Sequence, residues 1–261
     1  MTPIDIDFLY AARSFAVTLA HDVRPLSRRH FRQPLDVALK ADASPVTRAD
    51  REVEAALRRA IRARYPEHGL LGEEEGGCIA EGWTWVVDPI DGTKSFICGV
   101  PLYGTLIALL QDGRPVLGVI DMPALGECWV GDPSGAHFHD SPARTSGCTD
   151  LSKARLFATS PEQFAGADAA AWSRVTAAAA LRRYGGDCYL YGMLASGHCD
   201  LVIEAGLQPY DVMALVPIVH GAGGLITDWQ GQPLRADFDG RVVAAATPTL
   251  HREALALLTR V

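Results

Sequence analysis

Residues 85–96 read WVVDPIDGTKSF, an apolar run that delivers Asp88 and, past Pro89 and Ile90, a second carboxylate at Asp91. Asp-Pro and Asp-Gly pairs are ordinary turn formers. The same residue types also suit a reaction centre. A strand ending in Asp88 sets one carboxylate at a sheet rim, Pro89 stiffens the exit, and Asp91 can turn back toward the same point. Gly92 permits an unusual backbone angle and close approach of a ligand. The N–H groups of Gly92, Thr93 and Lys94, at the start of a short helix, suit an anion. Two carboxylates beside an anion cradle are compatible when a metal ion lies between them. Taken alone, the stretch fits a surface turn as well as a metal site.

Three other segments offer carboxylates, and each has a purely structural alternative. LLGEEEGG carries Glu73 and Glu74 and also suits an acidic solvated loop. In SPVTRAD, Asp50 stands three residues after Thr47, the spacing of a helix capping box. In QPYDVMAL, Asp211 also suits a helix N-cap. Together KADASPVTRAD, GEE, DPIDGT and PYD, in this order between about residues 40 and 211, resemble the inositol monophosphatase family of magnesium-dependent, lithium-sensitive phosphatases. The resemblance implies a mixed α+β or α/β fold, a five-layer α-β-α-β-α sandwich of the inositol monophosphatase and fructose-1,6-bisphosphatase type, and a homodimer. It implies that Glu73, Asp88, Asp91 and Asp211 hold metal through their side chains and Ile90 through its carbonyl. Asp50 and Thr93 match the positions that hold and activate the attacking water, with Glu73 counted among the catalytic residues as well.

The chemistry agrees with that carry-over. Five carboxylates in one site repel one another and a phosphate monoester alike, and divalent cations relieve both repulsions. All-oxygen ligands, with no His or Cys in the motifs, favour Mg²⁺ over zinc, two or three ions per site, with Mn²⁺ as a substitute. Hydrolysis by direct in-line attack of water follows, without a covalent intermediate. DPIDGT superficially resembles the D-x-D-G-T motif of the haloacid dehalogenase family. Two residues separate Asp88 from Asp91 where that aspartate nucleophile and its acid need a single spacer.

The leaving group is a separate question. Within the superfamily it is drawn from inositol phosphates, fructose bisphosphate, phosphoadenosine phosphate and histidinol phosphate. DGTKSFICGVPLYGTLIAL, ATSPEQF, YGGDCYLYGMLASGHCDLVIEAGLQPYD and ALVPIVHGAGGLITDW resemble the histidinol-phosphate phosphatase branch. Tyr210 before Asp211 and bulky VMALVP after it depart from the W-D and small residues of the inositol branch. Histidinol phosphate carries an amine and an imidazole, so its pocket calls for acceptors. Asp187 and Glu204 match substrate-contacting segments, beside Gly92 and Thr93 at the phosphate. Asp187 also suits a turn after Gly185-Gly186, and Glu204 a surface strand end or a contact to inositol hydroxyls. His137 and His139 suit a solvated strand edge better than a metal site. Lys40 and Lys94 are candidate positive charges near the phosphate, and Cys98 and Cys188 read as space fillers. A metal-stabilised regulatory protein that keeps the fold without turnover is the non-enzymatic alternative.

The elements that must position these residues fall into two textures. A helix is predicted over about residues 5–24 from the stripe Leu9, Ala12, Ala16, Leu19 and Val23. A second follows TRAD to about Tyr65, with Val53, Ala56, Leu57, Ala60 and Ile61 on one face and arginines on the other. WTWVV, YGTLIALL, PVLGVIDMP and ECWVGD then read as a largely antiparallel meander. From about residue 154, strands ARLFATS, LVIEA, LITDW and VVAAA alternate with helices near 165–181, over YLYGMLASG, from Asp211 and from Thr249. The boundary near 150 predicts subdomains 1–150, with most metal ligands, and 151–261, with the last ligand and the substrate contacts, in one body. At 261 residues, 48% hydrophobic and 21% charged, the chain has the composition of a folded enzyme. A net charge of −7 argues against nucleic-acid and anionic-membrane partners and for a small phosphate ester met by local positive charge. The acidic start MTPIDIDFLYAARS and six cysteines without a CxxC pair predict a cytoplasmic protein with reduced thiols.

Overall fold

The computed structural model describes residues 4–40 and 45–260, so positions 41–44 of the KADASPVTRAD stretch lie outside the described residues. Helix α1 (Ile6–His30) buries the expected stripe but runs past residue 24, through Pro25. A proline costs one helical hydrogen bond. Here Arg24 anchors the turn by two-pronged bonds to the buried Asp121, and Arg28, Arg29 and His30 suit the negative C-terminal end. Short strands β1 (Ala38–Leu39) and β2 (Pro45–Val46) pair antiparallel and lead into α2 (Arg48–Arg64). The Thr47–Asp50 capping box forms as its spacing suggests. Val53, Leu57 and Ile61 are buried, yet so are Glu54 and Arg58, which corrects the expectation that the arginines all occupy the solvent face.

The first sheet contains β3 (Gly69–Gly72), β4 (Gly76–Cys78), β5 (Trp83–Asp91), β6 (Gly104–Gln111), β7 (Arg114–Met122), β8 (Glu127–Asp132), β9 (Gly135–Phe138) and β10 (Ser141–Pro142). Its spatial order is β10-β9-β8-β7-β6-β5-β3-β4. The run from β5 to β8 is the expected antiparallel meander, which β9 and β10 continue beyond the expectation, whereas β3 lies parallel to β5. Strands β3 and β4 were not evident in the sequence, because four of their seven residues are glycines and show no alternation. The β5–β6 register slips between Asp88, opposite Leu106, and Asp91, opposite Gly104. Three steps on β5 thus span two on β6, a bulge that bends the strand end and re-aims its side chains. Helix α3 (Thr93–Ile97) follows at once.

The second sheet is built from β11 (Arg155–Ala158), β12 (Leu181–Tyr184), β13 (Leu201–Glu204), β14 (Leu225–Thr227) and β15 (Val242–Ala245), in the order β12-β11-β13-β15-β14. Helix α4 (Ala167–Ala178) is shorter than the predicted 165–181, since the chain enters β12 at Leu181. That strand is exposed along its whole length and has no apolar face to betray it. Between β12 and β13 lies α5 (Tyr189–Ala195). The helix predicted from Asp211 is two pieces, α6 (Pro209–Val212) and α7 (Leu215–Gly221), and the last helix is α8 (Pro248–Leu258), capped by Thr247.

Three apolar clusters define the layers. One joins α1 and α2 to the outer face of the first sheet, a second packs α5 and α7 between the two sheets, and a third joins α4 and α8 to the far face of the second sheet. The result is the α-β-α-β-α sandwich. No helix among the described residues is long and apolar enough to cross a membrane.

Candidate active site

The β5 bulge, the α3 start and α6 meet at one place. Asp88 is fully buried, its Oδ1 accepting the Ile90 N–H at 3.0 Å. Asp91, past the bulge, accepts the Cys188 N–H on Oδ2 at 2.6 Å. Asp211 reaches the same point from the second half of the chain, and carboxylate oxygens of Asp88, Asp91 and Asp211 lie within 4.8 Å of one another. Asp211 is not the N-cap of its helix. Gln208 is, and Asp211, three residues on, accepts the Gln208 N–H at 2.7 Å.

Burial raises the Asp88 pKa well above the usual carboxylate range, and the charges of Glu73, Asp91 and Asp211 add to it. Burial likewise lifts Asp91, followed by Asp187 and Asp211. Burial pushes Asp211 up to about 7, against the opposing Gln208 N–H. Such crowding of buried carboxylates suits a cation between them. Glu73, at the end of β3, faces this group, and its Oε1 accepts from Lys40 Nζ at 2.7 Å. The same ammonium lies 2.6 Å from Glu74 Oε1. Burial works against the Lys40 charge, but the bonds to both glutamates outweigh it and raise its pKa.

Asp50 enters from the first turn of α2 with no exposed surface. Its Oδ2 accepts from the Thr47 N–H at 2.8 Å and the Thr47 hydroxyl at 2.6 Å, while its buried Oδ1 has no partner. Burial raises its pKa against those two bonds. An orphaned buried carboxylate oxygen is costly unless a further group meets it. The donor set, entirely oxygen and partly desolvated, with the Ile90 carbonyl beside it, fits a hard divalent cation.

Gly92 and Thr93, expected from the sequence to contact phosphate, follow Asp91 directly at the start of α3. Gly92 is left-handed at φ 80° and caps α3. A methyl group there would lie 2.9 Å from both the Leu102 carbonyl and Asp187 Oδ2, so glycine lets these groups close up. The Thr93 hydroxyl donates to the Ile90 carbonyl at 3.1 Å. Lys94 points outward as an exposed side chain but still opposes the upward shift that burial gives Asp187.

Beyond Asp91 and Asp211, a cavity of about 40 Å³ is lined by Gln163, Asp187, Tyr191 and Glu204 among others. That is room for about one water or small ligand group. Asp187, itself left-handed at φ 48°, accepts from the Ser95 hydroxyl at 3.2 Å. It is therefore a turn residue and a wall of the site at once. Glu204 is 2% exposed, so the surface strand-end alternative fails. It accepts from the Thr159 N–H at 3.1 Å and the Tyr191 hydroxyl at 2.9 Å, while burial pushes it up to about 7. Thr159 and Tyr191 went unnoticed in the sequence, since nothing local links them to Glu204.

The two histidines fall away from the site. His137 on β9 pairs with Arg13 at 3.0 Å, and His139 lies past the strand in a left-handed turn, so the two do not share a strand face. Cys188 is buried and Cys98 exposed, with all six cysteines free.

Comparison with known proteins agrees with this geometry. The profile described as "Inositol monophosphatase family" matches residues 10–261. The chain is 46% identical over 239 residues to the chloroplastic bifunctional phosphatase IMPL2 of Arabidopsis thaliana, covering 87% of this chain and 69% of that one. It is 37% identical to the histidinol-phosphatase of Chlorobaculum parvum, over 93% of this chain and 95% of that one. Among solved structures, an inositol monophosphatase from Zymomonas mobilis superposes with a TM-score of 0.88 and 43% identity, covering 96% of this chain and 98% of that one.

Proposed function

The chain belongs to the inositol monophosphatase family, and from that membership we propose that this phosphatase hydrolyses L-histidinol phosphate to L-histidinol and phosphate in a Mg²⁺-dependent reaction. The observation that carries the reading is the convergence of Asp88, Asp91 and Asp211 within 4.8 Å, beside a pocket walled by the acceptors Asp187 and Glu204. Glu73, Asp88, Asp91, Asp211 and the Ile90 carbonyl are the proposed metal ligands. Bound Mg²⁺ supplies positive charge to the phosphoryl oxygens and acidifies water. Asp50, with Oδ1 free of partners, would hold the attacking water and take up its proton, while the Thr93 hydroxyl, which donates to the Ile90 carbonyl, would accept a hydrogen bond from that water. The Gly92 and Thr93 amides face the phosphate at the α3 start. Asp187 and Glu204 receive the ammonium and imidazole N–H groups of the leaving alcohol, for which Tyr191 and Ser95 hold them in place.

The same proposal includes a cytoplasmic homodimer with subdomains 1–150 and 151–261, lithium sensitivity and a place in histidine biosynthesis. A second reading, inositol 1-phosphate as substrate, draws on the 43% identity to the Zymomonas mobilis protein. Release of free phosphate separates the two. The panel is histidinol phosphate, inositol 1-phosphate, fructose 1,6-bisphosphate and phosphoadenosine phosphate, each with and without Mg²⁺. Histidinol phosphate turnover that disappears on chelation is expected, and a folded, Mg²⁺-supplied protein that turns over none of the four sinks the proposal.

A further inference from the structure

Helix α2 carries a second inward carboxylate one turn beyond Asp50, and the role proposed above for the site does not use it. Glu54 has no exposed surface and Arg58, four residues on, is 5% exposed. Their side chains pair at 2.7 Å between Arg58 Nε and Glu54 Oε1. Burying an ion pair costs desolvation that the pair itself hardly recovers. The remaining bonds of this pair all go to one segment. Glu54 Oε2 accepts the Glu74 N–H at 2.7 Å and Oε1 accepts the Glu75 N–H at 3.0 Å. The Arg58 guanidinium donates to the Gly76 carbonyl. Gly72, the last residue of β3, closes against the same pair, since a methyl group there would overlap both side chains.

Glu73 is thus held on either side, by Gly72 against the ion pair and by the bonded amides that follow it. We infer that Glu54, with Arg58 as its counter-ion, is a positioning residue that fixes the 72–76 segment so that Glu73 meets Asp88 and Asp50. One helix then sets the separation of two groups of the site, Asp50 directly and Glu73 through its backbone. This rests on the reading of Glu73 as a metal ligand.

The test measures Mg²⁺ binding by calorimetry without substrate, together with amide hydrogen exchange at Glu74 and Glu75. The variants are Glu54→Gln and the paired Glu54→Met/Arg58→Met, which leaves no buried charge unmatched. Arg155→Leu, which breaks the Asp200 ion pair at the second sheet, controls for general destabilisation. Loss of a group that orients a metal ligand weakens binding by about 10- to 100-fold. That weakening is expected in both Glu54 variants, with faster exchange of the two amides and the metal dependence of turnover moved to higher Mg²⁺, whereas Arg155→Leu lowers Tm and leaves Mg²⁺ affinity alone. Wild-type affinity in the paired variant overturns the inference by itself. A wild-type protein that binds no Mg²⁺ overturns the metal reading of the site and this inference with it.

Discussion

Asp91 answers to three neighbours, Cys188, whose N–H it accepts, and Asp187 and Asp211, whose like charges it faces. Asp91→Asn keeps the shape and an acceptor for Cys188 while removing one charge. Several kcal/mol of charge stabilisation, at about 1.4 kcal/mol per tenfold, correspond to a loss of turnover on the order of a thousandfold. The metal-free variant is expected to melt at or above the wild-type temperature, because carboxylate repulsion is relieved. Wild-type turnover in a phosphate-release assay contradicts the assignment of Asp91 to the metal. At this scale the sequence was legible where chemistry is written in contiguous residues. DPIDGT brought Asp88 and Asp91 to attention, and the structure joins Asp211 to them. Glu54 was illegible because its partners are backbone N–H groups some twenty residues on, to which sequence gives no clue.

Two irregular elements aim the site, the bulge at the end of β5 and the left-handed Gly92 that starts α3. The turn reading of DPIDGT and the site reading describe the same backbone, since the bend that ends the strand also turns Asp91 back. Gly92→Ala forces a methyl to within 2.9 Å of the Leu102 carbonyl and Asp187 Oδ2. A left-handed alanine costs about 1–2 kcal/mol before any clash. At about 2–4 °C per kcal/mol for a chain of this size, Tm should fall by several degrees in calorimetry, and turnover should fall with it as Asp187 is pushed aside. An unchanged Tm and rate contradict the role given to Gly92. Long periodic elements such as α2 and β6 could be read from pattern. Strands β3, β4 and β12 could not, because glycine or full exposure erases the alternation that marks a strand.

For the molecule as a whole, the crowded carboxylates are a folding cost that the proposed metal would offset. Asp211 and Glu204 titrate near about 7 in the folded chain, and Asp88 and Asp91 well above the ordinary range. Unfolded carboxyls titrate at about 4. Between those values the folded state binds more protons, so stability is fully present below pH about 4 and is lost as pH rises through about 7. This contribution makes metal-free Tm fall between pH 5 and 8, and added Mg²⁺ should raise Tm more at pH 8 than at pH 5. Equal Mg²⁺ shifts at both pH values contradict the carboxylate origin. The layered architecture was legible in the family motifs. The middle layer was not, since one apolar cluster draws residues from both halves of the chain, from Val86 to Ala246. The decisive measurement is kcat/KM for L-histidinol phosphate against inositol 1-phosphate at saturating Mg²⁺ on one preparation. A pocket that pairs acceptors with N–H groups predicts a preference for histidinol phosphate of at least about tenfold, the worth of one well-made polar contact. Equal values, or a preference for inositol 1-phosphate, contradict the account.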